Sequence, residues 1–99
     1  MKRYKPAKTP VVPFSKDLGL YFKAKREEAG FTQAEVSQFL GHRTAMLVSK
    51  FERGVAAIKF TDLVKVVKLY KLKESEVMQV LMDEQEKLFS FYMKSRQAN

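Results

Sequence analysis

The stretch Thr32-Gln33-Ala34-Glu35-Val36-Ser37-Gln38-Phe39-Leu40-Gly41, continued by His42-Arg43-Thr44-Ala45-Met46-Leu47-Val48-Ser49-Lys50-Phe51-Glu52-Arg53-Gly54, decides the fold of this chain. Two short helical patterns meet in it across a turn. Thr32 can accept from the unpaired amides of a first helical turn, and Glu35, three residues on, completes a capping box. Phe31 before the cap and Val36 after it occupy the positions of a hydrophobic staple. Val36, Phe39 and Leu40 share one face at helical spacing, which predicts that all three are buried. Gly41 ends the pattern, because the residue after a helix commonly takes the left-handed conformation that glycine adopts freely. In the second pattern Val48 and Phe51 point inward, while Ala45, Met46, Ser49, Lys50 and Arg53 face elsewhere and Gly54 closes it.

Helix, tight turn, helix of this length is a helix-turn-helix unit. Its residues, Thr32-Gln33-Ala34-Glu35-Val36, then Leu40-Gly41, then Val48-Ser49-Lys50-Phe51-Glu52-Arg53-Gly54, resemble the phage repressor and Cro-like helix-turn-helix family, regulators of the xenobiotic-response-element type. Leu18-Gly19, Arg26 and Gly30 stand where that family's first helix has comparable residues, so the likeness runs from Leu18 to Leu81. One departure is a turn between Gly41 and Ser49 that is one residue longer than the family's usual spacing. The resemblance implies an all-α, five-helix repressor-like DNA-binding domain, and a transcriptional regulator that inserts its third helix into the major groove as a dimer. It also implies that Gln33 holds a phosphate and braces the recognition helix. On the same carry-over Ala45, Met46 and Lys50 face the bases, Thr44 sits at the cap and Arg43 lies in the lengthened turn. The resemblance further implies that Arg26 pairs with Glu52, a structural tie between the first and third helices.

The base-facing set is unusual. Long amides or arginines read adenine or guanine bidentately, and neither stands at Ala45 or Met46. What remains is apolar contact with thymine methyls and a Lys50 that can favour guanine O6 or N7. Phosphates would then carry much of the affinity, with Arg53 and Lys59 on flanking positions. The competing reading is that Met46 and Leu47 pack inward or against a protein partner, which makes the same fold a protein-interaction module. A third reading is a largely sequence-indifferent DNA-binding protein.

Composition agrees with a nucleic-acid partner and removes other classes. The formal charge is +8 and the isoelectric point about 9.8, which favours a polyanion, here double-stranded DNA. Ninety-nine residues with 45% hydrophobic content suit one domain with a modest core. Cysteine is absent, so disulfides, thiolate zinc sites and cysteine nucleophiles are excluded. One histidine and no phosphate-binding glycine loop leave no catalytic residues, metal site or cofactor to expect, and hence no enzyme. His42 reads as a surface or phosphate-facing residue. No apolar run reaches the ~20 residues of a membrane span, so the expectation is a cytoplasmic protein with no membrane association and no small-molecule ligand.

Residues 1–14 contain all three prolines and several bases, and read as a basic N-terminal arm, extended and outside the core. Such an arm is compatible with a solubilising tail or with a segment lying on DNA. Residues 15–99 then form the helix-turn-helix domain. Ser15 caps a first helix to about Ala29 with Leu18, Phe22 and Ala29 buried, and residues 55–60 form a loop. Thr61 caps a fourth helix over 62–70 with Leu63, Val66, Val67 and Tyr70 on one face. A fifth helix from Glu74 to near Lys94 is longer than so small a body needs, at ~1.5 Å per residue. Its distal Leu88, Phe89, Phe91, Tyr92 and Met93 need a cover. That predicts a homodimer seam, the alternative being a helix end that folds back over its own domain.

Overall fold

The computed structural model describes Val11, Val12 and residues 14–97. In chain order these form β1 (Val11–Val12), α1 (Lys16–Ala29), α2 (Gln33–Phe39), α3 (Met46–Glu52), β2 (Ile58–Lys59), α4 (Phe60–Leu69) and α5 (Glu74–Gln97). The protein is all-α, with five helices among the described residues, where the one sheet is a two-residue antiparallel ladder pairing Val11 with Lys59 and Val12 with Ile58. Most of the basic arm, residues 1–10, lies outside the described residues.

Local chemistry fixes the first two helices. The Ser15 hydroxyl accepts from the Leu18 amide at 3.0 Å and starts α1, which Gly30 ends. In α2 the Thr32 hydroxyl accepts from the Glu35 amide at 3.1 Å while the Glu35 carboxylate accepts from the Thr32 amide at 2.9 Å. This reciprocal box satisfies two otherwise unpaired amides, and a side-chain cap of this kind stabilises by about 1 kcal/mol. Gly41, at φ 84°, turns the chain out of α2.

Leu18, Phe22, Val36, Val48, Phe51 and Leu63 meet in a core shared by α1 to α4. Val77 joins it from α5, with Val80 and Leu81 packed alongside. At the centre α1 and α3 touch backbone to backbone. A Cβ on Gly19 would lie within 2.6 Å of the carbonyl oxygens of both Phe51 and Glu52, so only glycine fits.

Several positions differ from expectation. Val12 is not outside the core but fully buried, because its strand pairs with β2 and turns the side chain inward. Residues 55–60 are not all loop: Ile58–Lys59 is a strand, and Phe60 already begins α4. Lys59, not Thr61, is therefore the capping position of α4. Phe39 is 52% exposed, while Ser37 is buried in its place. The inward face of α2 is centred on Val36, Ser37 and Leu40, which places Phe39 about 110° away at ~100° per residue. Ala29 is exposed in the last turn of α1.

α5 is pinned to α1 along its proximal half. The Ser15 hydroxyl donates to Glu84 at 2.9 Å, and Lys87 reaches Asp17 at 3.3 Å. Glu76 receives the Tyr21 hydroxyl at 3.0 Å and Lys25 at 3.3 Å. Those two donors hold the Glu76 carboxyl below its ordinary range. Burial and then that carboxylate push the Tyr21 phenol up to about 12. Beyond Lys87 the helix continues unbroken, and it does not fold back over its own domain. Leu88, Phe89, Phe91, Tyr92 and Met93 are 44–67% exposed. Among the described residues no helix is long and apolar enough to cross a membrane.

Candidate nucleic-acid interface

α3 is seven residues long and has two unlike sides. Its inner side carries Val48, Phe51 and Glu52, all buried. Its outer side, extended back into the turn, presents Arg43, Met46, Lys50 and Arg53 at spacings of three, four and three. All four are exposed, Met46 by 59%. Within α3 and its C-terminal cap the spacing of Met46, Lys50 and Arg53 is that of one helical stripe, which Arg43 precedes in the turn.

The inner side is stitched to its neighbours through one carboxylate. Glu52 accepts from Arg26 Nε at 2.7 Å and Nη2 at 3.1 Å, a bidentate fork whose side chains are 9% and 3% exposed. Gln33 Nε2 donates to the same carboxylate at 2.9 Å. Arg26 also donates from Nη1 to the Phe31 carbonyl at 2.8 Å, so α1, the α1–α2 corner, α2 and α3 converge there. The Glu52 hydrogen bond holds the Arg26 guanidinium above its ordinary value. Tyr70, stacked on Phe31 at 6.2 Å, lies against this group, and burial followed by the Glu52 charge pushes its phenol up.

Gln33 is half-buried at the first position of α2. Its amide nitrogen carries two hydrogens, of which the Glu52 bond uses one. That bond braces α3 from the start of α2. The lengthened turn delays α3 to Met46, and Ala45 occupies its capping position without a side-chain bond. Thr44, one residue earlier, supplies its hydroxyl to the Met46 amide at 3.3 Å and remains exposed. Lys59 is exposed on β2, away from α3 in sequence. Leu88, Phe89, Phe91 and Tyr92 lie on the distal half of α5 and take no part in this surface.

Two neighbours of the stripe were not anticipated. His42 Nε2 lies 3.1 Å from Asp62 Oδ2, tying the turn to the first turn of α4, so it is a half-buried clasp and not a free surface residue. The Lys16 backbone abuts Gly54, where a Cβ would fall 2.5 Å from the Lys16 amide nitrogen, and this seats the start of α1 against the turn that follows α3. Gly54, two residues past the end of α3, is the sequence signal for that approach. Among the described residues no cluster of His, Asp and Glu could hold a metal ion.

A short helix with a basic outer stripe, held by an inner ion pair behind a capped partner helix, defines a helix-turn-helix DNA-binding domain. The family model for the helix-turn-helix domain matches residues 17–79, and the chain belongs to that family. No curated protein and no solved structure matches it.

Proposed function

We propose that this chain is a sequence-specific transcriptional regulator of repressor type, binding duplex DNA as a homodimer with α3 in the major groove. The observation that supports this best is the exposed set Arg43, Met46, Lys50 and Arg53, on α3 and the turns flanking it, opposite a side of α3 that is locked to α1 and α2 through Glu52. Groove entry asks for a rigid helix with its early residues outward. In this reading Lys50 donates to guanine O6 or N7, and Ala45 and Met46 meet thymine methyls. Gln33, Arg43, Thr44, Arg53 and Lys59 take phosphates and set the register. A dimer sealed by Leu88, Phe89, Phe91 and Tyr92 presents two such helices to half-sites about one DNA turn apart.

A sequence-indifferent binder is the second reading. It is favoured by the exposed thioether of Met46 where a bidentate donor would give stronger base discrimination. The experiment that separates these readings is a titration of the full chain with duplexes selected from a random pool and with random duplex, each at two salt concentrations. Specific recognition predicts a preference of about 10³-fold or more for the selected site. Equal affinities with a steep salt dependence overturn specificity, and no binding at either salt overturns the DNA reading in favour of a protein-interaction module.

A further inference from the structure

We infer that the open groove between α4 and α5 receives the distal end of α5 from a second copy of this chain, inserted antiparallel and reciprocally about a two-fold axis near Gln85. This rests on the homodimer in the reading above and specifies how it is built. The groove is a cleft of about 500 Å³ walled by Phe60, Leu63, Val64, Val67, Met78 and Leu81. Phe60, Val64 and Met78 are each at least 40% exposed. The groove, which Lys68, Glu74 and Ser75 also line, therefore leaves apolar side chains open to solvent, and the same chain carries an uncovered apolar helix end. α5 runs straight through to Gln97, so its own end cannot reach its own groove.

The pairing follows from the order of residues along one face of α5. Met78, Met82, Gln85, Phe89 and Tyr92 succeed one another at spacings of four, three, four and three. Counted outward from Gln85, two methionines lie toward the start of the helix and two aromatics toward its end. A reversed copy therefore sets Met82 against Phe89 and Met78 against Tyr92, to within a residue, with the two Gln85 amides facing each other across the axis. Thioether against aromatic ring is a favourable contact, and paired glutamines satisfy one another's donors and acceptors. A parallel copy would stack methionine on methionine and ring on ring.

Charge selects the same orientation. Residues 74–86 hold five acids and no base, of which Glu76 and Glu84 are engaged with α1 and its cap and Glu74, Asp83 and Glu86 are not, whereas residues 87–97 hold three bases and no acid, of which Lys87 reaches Asp17. Antiparallel pairing lays the acidic half of each helix along the basic half of the other, and position 74, an acid, comes level with position 96, a base. Phe60, Val64, Met78, Met82, Phe89 and Tyr92 together would cover about 600 Å² per chain and about 1,200 Å² for the pair, the lower end of specific interfaces.

The chain has no cysteine, so pairing can be read by cross-linking. Met82→Cys and Phe89→Cys variants are prepared separately, checked for helicity by circular dichroism, and oxidised alone and as a mixture. The mixture is expected to give a cross-linked dimer at least about ten times faster than either variant alone. Self-linking of each variant as fast as the mixture overturns the antiparallel arrangement in favour of a parallel one, and no cross-link in any sample overturns it outright. Val64→Glu, on the exposed groove wall of α4, is expected to raise the dimer dissociation constant at least tenfold in sedimentation, and an unchanged constant removes the groove from the interface. Sedimentation of the unaltered chain separates the two levels: a monomer at tens of micromolar removes the homodimer itself, whereas a dimer with the wrong cross-links removes only this arrangement.

Discussion

Replacing Glu52 by alanine tests whether the shared carboxylate holds the domain together. The change removes the acceptor for Arg26 Nε at 2.7 Å, Arg26 Nη2 at 3.1 Å and Gln33 Nε2 at 2.9 Å. Arg26 keeps only the Phe31 carbonyl and remains a buried, uncompensated cation. Breaking one side of such a pair costs about 3–5 kcal/mol, against about 5–15 kcal/mol for the folding of a domain this size. At about 4–8 °C per kcal/mol the melting temperature should fall by at least about 12 °C. Thermal and urea unfolding followed by circular dichroism give the value directly. The paired variant Arg26→Met with Glu52→Leu keeps the volume, removes both charges and should recover most of the loss. A single variant melting within about 3 °C of the parent, or a paired variant no better than the single one, would refute the reasoning.

Gly19→Ala forces a methyl against two backbone carbonyls and should destabilise by at least about 1–3 kcal/mol, read as a lowered urea midpoint. Ser37→Ala removes a buried hydroxyl that has no hydrogen-bond partner among the described residues and should leave the melting temperature unchanged or raise it by the equivalent of about 1 kcal/mol. Glu76 has its folded pKa held below the ordinary 4.5, so its contribution is present above that value and is lost as pH falls through the folded one. The urea midpoint of Glu76→Gln should therefore fall less between pH 6 and 3 than that of the parent. Lys50→Ala should relax base preference in a duplex titration. Lys59→Ala should weaken all duplexes alike and flatten the salt slope by about one unit.

What could be read from the sequence was what local chemistry spells out. Thr32 and Glu35 announce the start of α2 because both partners of the capping box lie within one turn. The tie between Arg26 and Glu52 spans twenty-six residues and has no local pattern; it came from resemblance to a family. Phe39 shows the limit of periodicity, which assigns residues to a face but does not say where neighbouring helices centre it. The β1–β2 ladder escaped because two residues in a proline-rich segment are too short to show an alternation. His42 reads as a surface residue in the sequence because its partner, Asp62, lies beyond α3 at the start of another helix.

The direct seating of α1 on α3 at Gly19 bears on how a binding site would be chosen. With backbone against backbone and a charged fork beside it, α3 has no slack to slide or tilt relative to its scaffold. Under the proposed docking the protein arrives already shaped, and imperfect fit must be absorbed by the double helix. Its cost then depends on how readily each base step rolls or kinks, so flexible TA and CA/TG steps would be favoured at positions no side chain touches. A stiff reading head with few base-specific donors would in this way select sequence through the mechanics of the duplex.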